Sequence, residues 1–593
     1  MTRFHLYDWL AIAAYVVVAL AIGLFMARRA SSSTHEFYLA GRSLPWWVAG
    51  TSLVATSFAA DTPLLITGWV RLDGIGRNWL WWGMAVGGVL SFVAIAGWWR
   101  RANITTDAEF IECRYSGRPA RVLRGFYGGY HALITNTLIL VWVLTAMLKL
   151  VRVVLNVDDD SLDAYIVGAA LALALAYSYT SGLWGVVVTD VFQFLLALAG
   201  GLILAVAAID ELGGMELARQ AFAALPDHTT RLVPVYGSPG QTLTDGWNAA
   251  AYWVSGFGAF LIFVGVQGWL NKNSDGSGAA VQRYAACRNE SHARGAALWF
   301  HLAHYWLRPW PWIIVALASI ILIPDTALPR LADGSPDHEA AYVVMMASYL
   351  GPGLFGLMCA SFLAAFMSTL DTHLNLASAY FVNDLYRRFL HKDSSDRHYL
   401  RVGRVVELLV GLAAAVLATL ADSISELFTL SLSLLGGVGP AMLMRWFWWR
   451  TNVWTEISAL LSSTILTILI QAGLIELAYP LSYLLIVVSS LLISLIVTLL
   501  TAPAEHTHLQ AFHDKILPAG LWAPFRSATQ GKVTVPFLLG WAGGIALIYG
   551  LMLGTGAWLL GNDSGFYFLA AALGGVALYW SWPRSLLAVD PAN

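Results

Sequence analysis

A chain of 593 residues in which 58% are hydrophobic and only 12% charged, with a mean hydropathy of +0.65, is a polytopic membrane protein rather than a soluble one. Its 34 Lys and Arg nearly balance its 36 Asp and Glu for a net charge of -2, which leaves no basic stripe for nucleic acid. The three cysteines, Cys113, Cys287 and Cys359, share no metal-ligand spacing and read as free thiols, and without a G-x-x-x-x-G-K-[ST] phosphate loop ATP is not expected to drive the protein directly.

In chain order, the first apolar run, near 9–27, is longer than a signal-peptide core. Its strongest charges, Arg28 and Arg29, follow it, so it reads as a retained span. Apolar windows of about 20 residues predict about fifteen spans. They lie near 9–27, 46–71, 79–99, 125–155, 161–179, 183–208, 247–270, 297–323, 353–386, 405–421, 424–449, 454–475, 481–501, 536–560 and 564–582. The loops near 28–45, 100–124, 272–296, 387–404 and 502–535 alternate along the chain and collect arginines such as Arg42, Arg100, Arg101, Arg288, Arg387 and Arg404. They should share one face, cytoplasmic by the positive-inside rule. That places the N-terminus outside, the C-terminus inside and the segment 209–246, with Pro226, Pro234 and Pro239, outside.

Several stretches depart from a plain lipid-facing pattern. In TSLVATSFAADTPLLITGWV (51–70), Pro63 removes a backbone donor and Asp61 is costly in lipid. A break near mid-membrane is predicted, with a proline kink in a packing helix as the simpler alternative. The tryptophan runs WLWW (79–82), WW (98–99) and WFWW (446–449) fall where spans meet charged loops and read mainly as an interfacial belt. LWFHLAHYWLRPWPWI (298–313) carries His301, His304, Tyr305 and Arg308 at helical spacing. They read as internal hydrogen-bonding groups near the membrane face, with Arg308-Pro309 ending or kinking the helix; the two histidines lack a third metal ligand. In ASFLAAFMSTLDTHLNLAS (360–378) and just beyond, Ser361, Ala365, Ser368, Thr372, Asn375 and Ala379 form one face, with Thr369 beside it. This face is either a small-residue packing seam or a cation site, in which hydroxyls and the carbonyls of a broken helix replace the ion's water.

EFYLAGRSLPWWVAGTSLVATSF (36–58), GLWGVVVTDVFQF (182–194), AAFMSTLDTHLNLASAYFVNDLY (364–386) and GGVGPAMLMRWFWWRTNVWTEISAL (436–460) resemble, in this order, segments of the sodium:solute symporter family. That family includes bacterial proline and sodium/galactose transporters, and the stretch 298–313 is similar to a bacterial branch of it. The resemblance implies an all-α, LeuT-type fold of two inverted five-helix repeats whose first helices are discontinuous, with additional helices before and after. It divides the chain into an N-terminal helix and loop (1–45), a first repeat (46–208), an external loop (209–246), a second repeat (247–450) and C-terminal helices (451–593). It implies Na+ as coupling ion, held by the carbonyls of Ala55 and Phe58 and by Ala365, Ser368 and Thr369. Asp190 matches an acidic residue associated in some members with a second sodium site or a release path; its simpler reading is a hydrated helix end.

The solute site that the resemblance implies lies between the two broken helices, with Ser57, Asp61 and Thr62 on one wall. NKNSDGSG (271–278) reads either as a plain loop or as an unwound segment of the second broken helix, with Asn271, Asn273 and Asp275 facing a polar ligand. The sugar-binding side chains of the galactose transporter are not reproduced, so the resemblance implies a small polar organic solute and no particular one. The expected function is sodium-coupled import across a bacterial inner membrane by alternating access, without enzymatic activity. The alternatives are a transporter-like sensor working with a separate partner and an intramembrane transferase using the histidines as bases.

Overall fold

The computed structural model describes residues 4–30, 34–57, 61–157, 160–233, 257–271, 275–331, 333–421, 423–525 and 534–582. Lipid offers no partner for a backbone N–H or C=O, so apolar stretches of this length must satisfy themselves as helices. The helices relevant here are α1 (Leu6–Ala30), α2 (Trp46–Thr56), α3 (Asp61–Asp73), α4 (Ile75–Ala102), α5 (Gly117–Leu155) and α6 (Asp163–Glu211). They continue as α7 (Phe257–Gln267), α8 (Ala279–Ala286), α9 (Glu290–Leu322), α10 (Leu354–Leu390), α11 (Asp396–Ala418), α12 (Ile424–Gly436) and α13 (Gly439–Phe447). The last are α14 (Val453–Gln471), α15 (Leu481–Leu500), α16 (His506–Ile516), α17 (Val535–Leu559) and α18 (Gly565–Ser581).

Three spans are each made of two helices. The axes of α2 and α3 differ by 57° and those of α12 and α13 by 45°, while α7 and α8 are separated by non-helical backbone that includes residues 275–278. In contrast, the windows near 161–179 and 183–208 are helical without interruption in α6, whose 49 residues would reach about 74 Å if straight, over twice the bilayer core. The chain therefore crosses and returns. Asp163 is paired with Arg152 at the end of α5 (2.6 Å), Trp184 reaches Glu36 on the other face (3.1 Å), and Gly200 lies back against Met358 and Ser361 near the start of α10. Counting α6 twice and each broken pair once accounts for about fifteen crossings of bilayer length. Two spans begin earlier than their apolar windows, α5 at Gly117 and α11 at Asp396, because polar turns continue the helix beyond the apolar stretch; that of α11 is capped by the Ser395 side chain.

The arginine loops do meet on one face. Arg42 donates to Ile104 O (3.3 Å), Arg100 to Cys287 O (2.7 Å), Arg288 to Ser43 O (2.9 Å) and Arg101 to Ile516 O (2.8 Å). On the opposite face, Lys149 pairs with Asp337 (3.0 Å) and Glu339 (2.7 Å), and Glu339 also accepts from the amides of Ile424 and Ser425 at the start of α12. There, too, Asp8 of α1 accepts from the amides of Gly353 and Gly356 (2.7 and 2.8 Å), placing a carboxylate where the first turn of α10 has unpaired donors.

The tryptophan belt expected from the sequence does not hold for its principal runs. Trp79, Trp81, Trp82, Trp98, Trp99 and Trp446 are all buried. Their indole N–H groups explain part of this: Trp99 donates to Asp275 O (2.6 Å), Trp81 to Asn78 (3.0 Å) and Trp446 to the Asp275 carboxylate (2.9 Å). A buried indole with a partner packs as core.

Candidate cation and solute site

The half-helix α2 ends at Ser57 among protein rather than lipid, and its hydroxyl-bearing last turns lie against α10. Thr369 donates to Thr56 O (3.2 Å), and the Thr56 and Thr372 hydroxyls are 3.3 Å apart. Ala55, Ala365, Ser368 and Thr369 are all buried at this contact. Phe58, the remaining residue of the expected sodium set, falls outside the described residues, as does Asn273.

Asp190 joins the same cluster rather than forming a hydrated helix end. One carboxylate oxygen accepts from Ser368 and the other from Ser52, each at 2.5 Å, and Arg283 of α8 stands 3.8 Å away. Arg283 donates onward to Ser52 (3.2 Å), Thr56 (3.1 Å), Thr372 (2.8 Å) and the Gln282 side-chain oxygen (2.9 Å). All of these side chains are at least nine-tenths buried. A carboxylate and a guanidinium this deep are tolerable only because each is held by several hydrogen bonds.

Beside this cluster is a cavity of about 380 Å³, lined from α2 and α3 by Thr56, Ser57, Asp61 and Thr62, from the break after α7 by Asn271, and from α10 by Thr369 and His373. It thus brings together Ser57, Asp61, Thr62 and Asn271, and adds His131, Asn136, His304 and Arg308. Two wide turns supply them. Within α5 the π-helical turn His131–Thr135 places His131 and Asn136 on the cavity, where the Asn136 side-chain oxygen accepts from His373 Nδ1 (2.7 Å). Within α9 the π-helical turn Ala303–Leu307 does the same for His304 and Arg308. An inserted residue rotates the following helical face, and such turns recur at functional positions.

His304 and Arg308 are therefore not near the membrane face. His304 Nδ1 accepts from Arg308 (2.5 Å), which leaves Nε2 to carry the ring proton, while His301 Nδ1 lies 2.7 Å from Ala297 O and so must donate, leaving Nε2 as acceptor. Trp69, Phe428 and Trp142 close the end toward Lys149, with ring centroids 5.9 Å apart for Trp69–Phe428 and 6.1 Å for Trp142–Phe428. At the arginine-rich end Asp107 accepts from Tyr380 (2.5 Å) and from Gly278 N (2.8 Å).

A sequence model described as the sodium:solute symporter family matches residues 37–465. The chain belongs to the sodium:solute symporter family. A sodium/glucose cotransporter of Vibrio parahaemolyticus is 25% identical over 472 residues, 75% of this chain and 81% of that protein. A sodium/mannose cotransporter of Bos taurus is 26% identical, covering 75% of each. Among solved structures, a Na+-coupled sialic acid symporter in a substrate-bound outward-open state has a TM-score of 0.68 at 20% identity, covering 85% of this chain and 99% of that one. The fold is the LeuT type with additional helices, and the protein is a sodium-coupled symporter.

Within this symporter, Asp275 is not among the residues that line the cavity. It is fully buried and accepts from Arg445 (2.5 and 3.1 Å) and from Trp446 (2.9 Å), with Glu456 3.6 Å from the same guanidinium. The carboxylate anchors the unwound segment to α13, and Gly276, Ser277 and Gly278 line the cavity in its place. Gly439 makes the contact possible, since a Cβ there would collide with Leu270 O. Asp275→Asn should weaken this anchor by about 1.5–3 kcal/mol, the worth of hydrogen bonds to a charged group, while Glu456 still neutralises Arg445. The expected result is a lower melting temperature in detergent with sodium dependence unchanged; a shifted sodium requirement at normal stability would return Asp275 to the transport site.

Proposed function

We propose that this symporter carries Na+ and a small, polar, hydroxyl-rich organic solute in the same direction, with the arginine-rich face cytoplasmic, the N-terminus outside and the C-terminus inside. Sodium is held where the end of α2 meets the hydroxyl face of α10, by Ala55 O, Ala365 O, Ser368 and Thr369. The solute occupies the adjoining cavity against Ser57, Asp61, Thr62 and Asn271, with His301 and His304 offering one acceptor and one donor to hydroxyl groups. The two inverted repeats correspond to 46–208 and 247–450, with Asp190 either at a second sodium site or on the release path, and the membrane is a bacterial inner membrane.

The observation that carries this reading is Thr369, which both lines the cavity and bonds the terminal carbonyl of Thr56. One side chain can thus sense the ion and the solute, which is what coupling requires: sodium shifts the population toward the state that binds solute, and by linkage solute does the same for sodium. The sugars named for the cotransporter relatives support a hydroxyl-rich solute, as do the aromatic walls of the cavity and the hydroxyl, amide and imidazole groups among them.

The test is uptake into proteoliposomes from pooled radiolabelled polar metabolites, driven by an inward sodium gradient. A sodium ion moved across about 100 mV gains ~2.3 kcal/mol, so uptake of a neutral solute should be electrogenic and should rise when the interior is made negative. Sodium-independent accumulation would overturn the reading; potential-independent uptake of a neutral solute would exclude net charge movement.

A further inference from the structure

Because α2 stops among buried protein, its last carbonyls must be satisfied there. Leu53 O accepts from Ser57 N (3.1 Å). Val54 O accepts from the Ser57 hydroxyl (2.9 Å) and from Arg308 Nη1 (3.1 Å), Thr56 O from Thr369 (3.2 Å), and Ser57 O from Arg308 Nη2 (2.8 Å). Among the described residues no side chain donates to Ala55 O. One guanidinium therefore holds the carbonyls of Val54 and Ser57, which bracket Ala55 and Thr56.

That guanidinium is itself fixed. Arg308 is 3% exposed, follows the wide turn that aims it at α2 rather than along α9, donates to His304 Nδ1 (2.5 Å) and lies 5.4 Å from the Trp312 ring centroid. A planar fork can grip two carbonyls at a set separation, as an ammonium cannot. Its charge works against a neighbouring cation, and the buried Asp61 across the break carries the opposite charge.

We propose that Arg308 is a positioning residue of the sodium site: by holding Val54 O and Ser57 O it fixes the rotation of the last turn of α2, so that Ala55 O faces the hydroxyls of α10. This rests on the reading that Ala55 and Thr369 bind sodium. Fixed carbonyls discriminate ions by size, so Arg308 sets selectivity between Na+ and Li+ as well as affinity.

The experiment needs no known solute. Full-length protein in detergent is melted over a range of NaCl or LiCl with choline chloride holding ionic strength, since an ion that binds only the folded state raises the melting temperature with its concentration. Arg308→Lys keeps the charge and loses the fork; Arg308→Gln loses both. Each should raise the sodium midpoint about fivefold or more and change the Li+/Na+ midpoint ratio about threefold, a readout that loss of packing alone does not move. A midpoint within twofold of wild type with an unchanged ratio in Arg308→Lys overturns the proposal, as does a lower midpoint in Arg308→Gln, which would make charge repulsion the dominant effect. Thr369→Ala separates the two readings. If it shifts the midpoint and Arg308→Lys does not, the sodium site stands and positioning fails; if neither shifts, the sodium-site reading fails with it. Should the Arg308 variants not be recovered folded, His304→Ala removes the acceptor that steadies the guanidinium. A shift in midpoint and ratio then supports the proposal, and unchanged values overturn it.

Discussion

Asp190→Asn is expected to raise the sodium concentration for half-maximal uptake about tenfold or more, ~1.4 kcal/mol or above, and to slow turnover. Both carboxylate oxygens of Asp190 accept from serine hydroxyls at 2.5 Å, and Ser368 is one of the proposed sodium ligands. An amide offers one acceptor and one donor, so one serine must reverse its hydrogen bond. The change also removes the negative charge 3.8 Å from the buried Arg283. Stripping one partner from a buried pair costs about 3–5 kcal/mol, part of it recovered here through the amide oxygen and the hydroxyls around the guanidinium. The decisive measurement is the sodium-to-solute flux ratio at a set of imposed potentials. A ratio that falls from two to one in the variant assigns Asp190 to a second coupled ion. A ratio unchanged with slow turnover assigns it to release, and an unchanged ratio with normal turnover removes it from the mechanism.

Much of this architecture is legible in the sequence because lipid imposes it locally. Apolar windows and alternating arginine loops mark spans and faces directly, which is why the sequence alone places Arg42, Arg101 and Arg288 on one face. The break before Asp61 and Pro63 is legible for a similar reason, since a carboxylate and a proline at that depth need an irregular backbone around them. What was hidden depends on partners distant in the chain. Asp275 looks like a ligand-facing acid in NKNSDGSG until Arg445, 170 positions away, is seen to hold it. The wide turns at His131–Thr135 and Ala303–Leu307 break the 3.6-residue period, so a face drawn with that period sends His304 and Arg308 the wrong way. The one signal for His131 and Asn136 was their polarity within the apolar stretch near 125–155, and for His304 and Arg308 their charge and clustering. The buried tryptophans misled because an indole beside a charged loop suits an interface as well as a core, and only the acceptor of its N–H distinguishes them.

If sodium and solute bind as proposed, the end of α2 is also where they would influence one another. Arg308 and Thr369 each touch both its carbonyls and the cavity. A solute that displaces His304 or Asp61 alters the hold on those carbonyls, and a cation drawn to them withdraws the Thr369 hydroxyl from Thr56 O. The two binding events would therefore share a small set of groups, Arg308 and Thr369 among them, and the coupling should be lost in steps as those groups are removed.

Thr369→Ala and Ser368→Ala should each raise the half-maximal sodium concentration of uptake, by about tenfold to a hundredfold, if one oxygen ligand is worth the ~1.5–3 kcal/mol of a hydrogen bond to a charged group. The two differ in what else they disturb. Thr369 donates only a 3.2 Å bond to Thr56 O, so its alanine variant should fold normally, and Thr369→Ser, which restores the oxygen without the methyl, should recover wild-type sodium dependence. Ser368 supports the Asp190 carboxylate at 2.5 Å, so its removal also leaves a buried anion short of a donor; that variant should melt lower as well as require more sodium. Sodium titrations of initial uptake rate, set beside melting curves for the same preparations, separate the contributions. If both variants kept the wild-type sodium dependence at normal transport rates, the hydroxyl face of α10 would be the packing seam that small residues also make between membrane helices, and the cation would have to bind elsewhere.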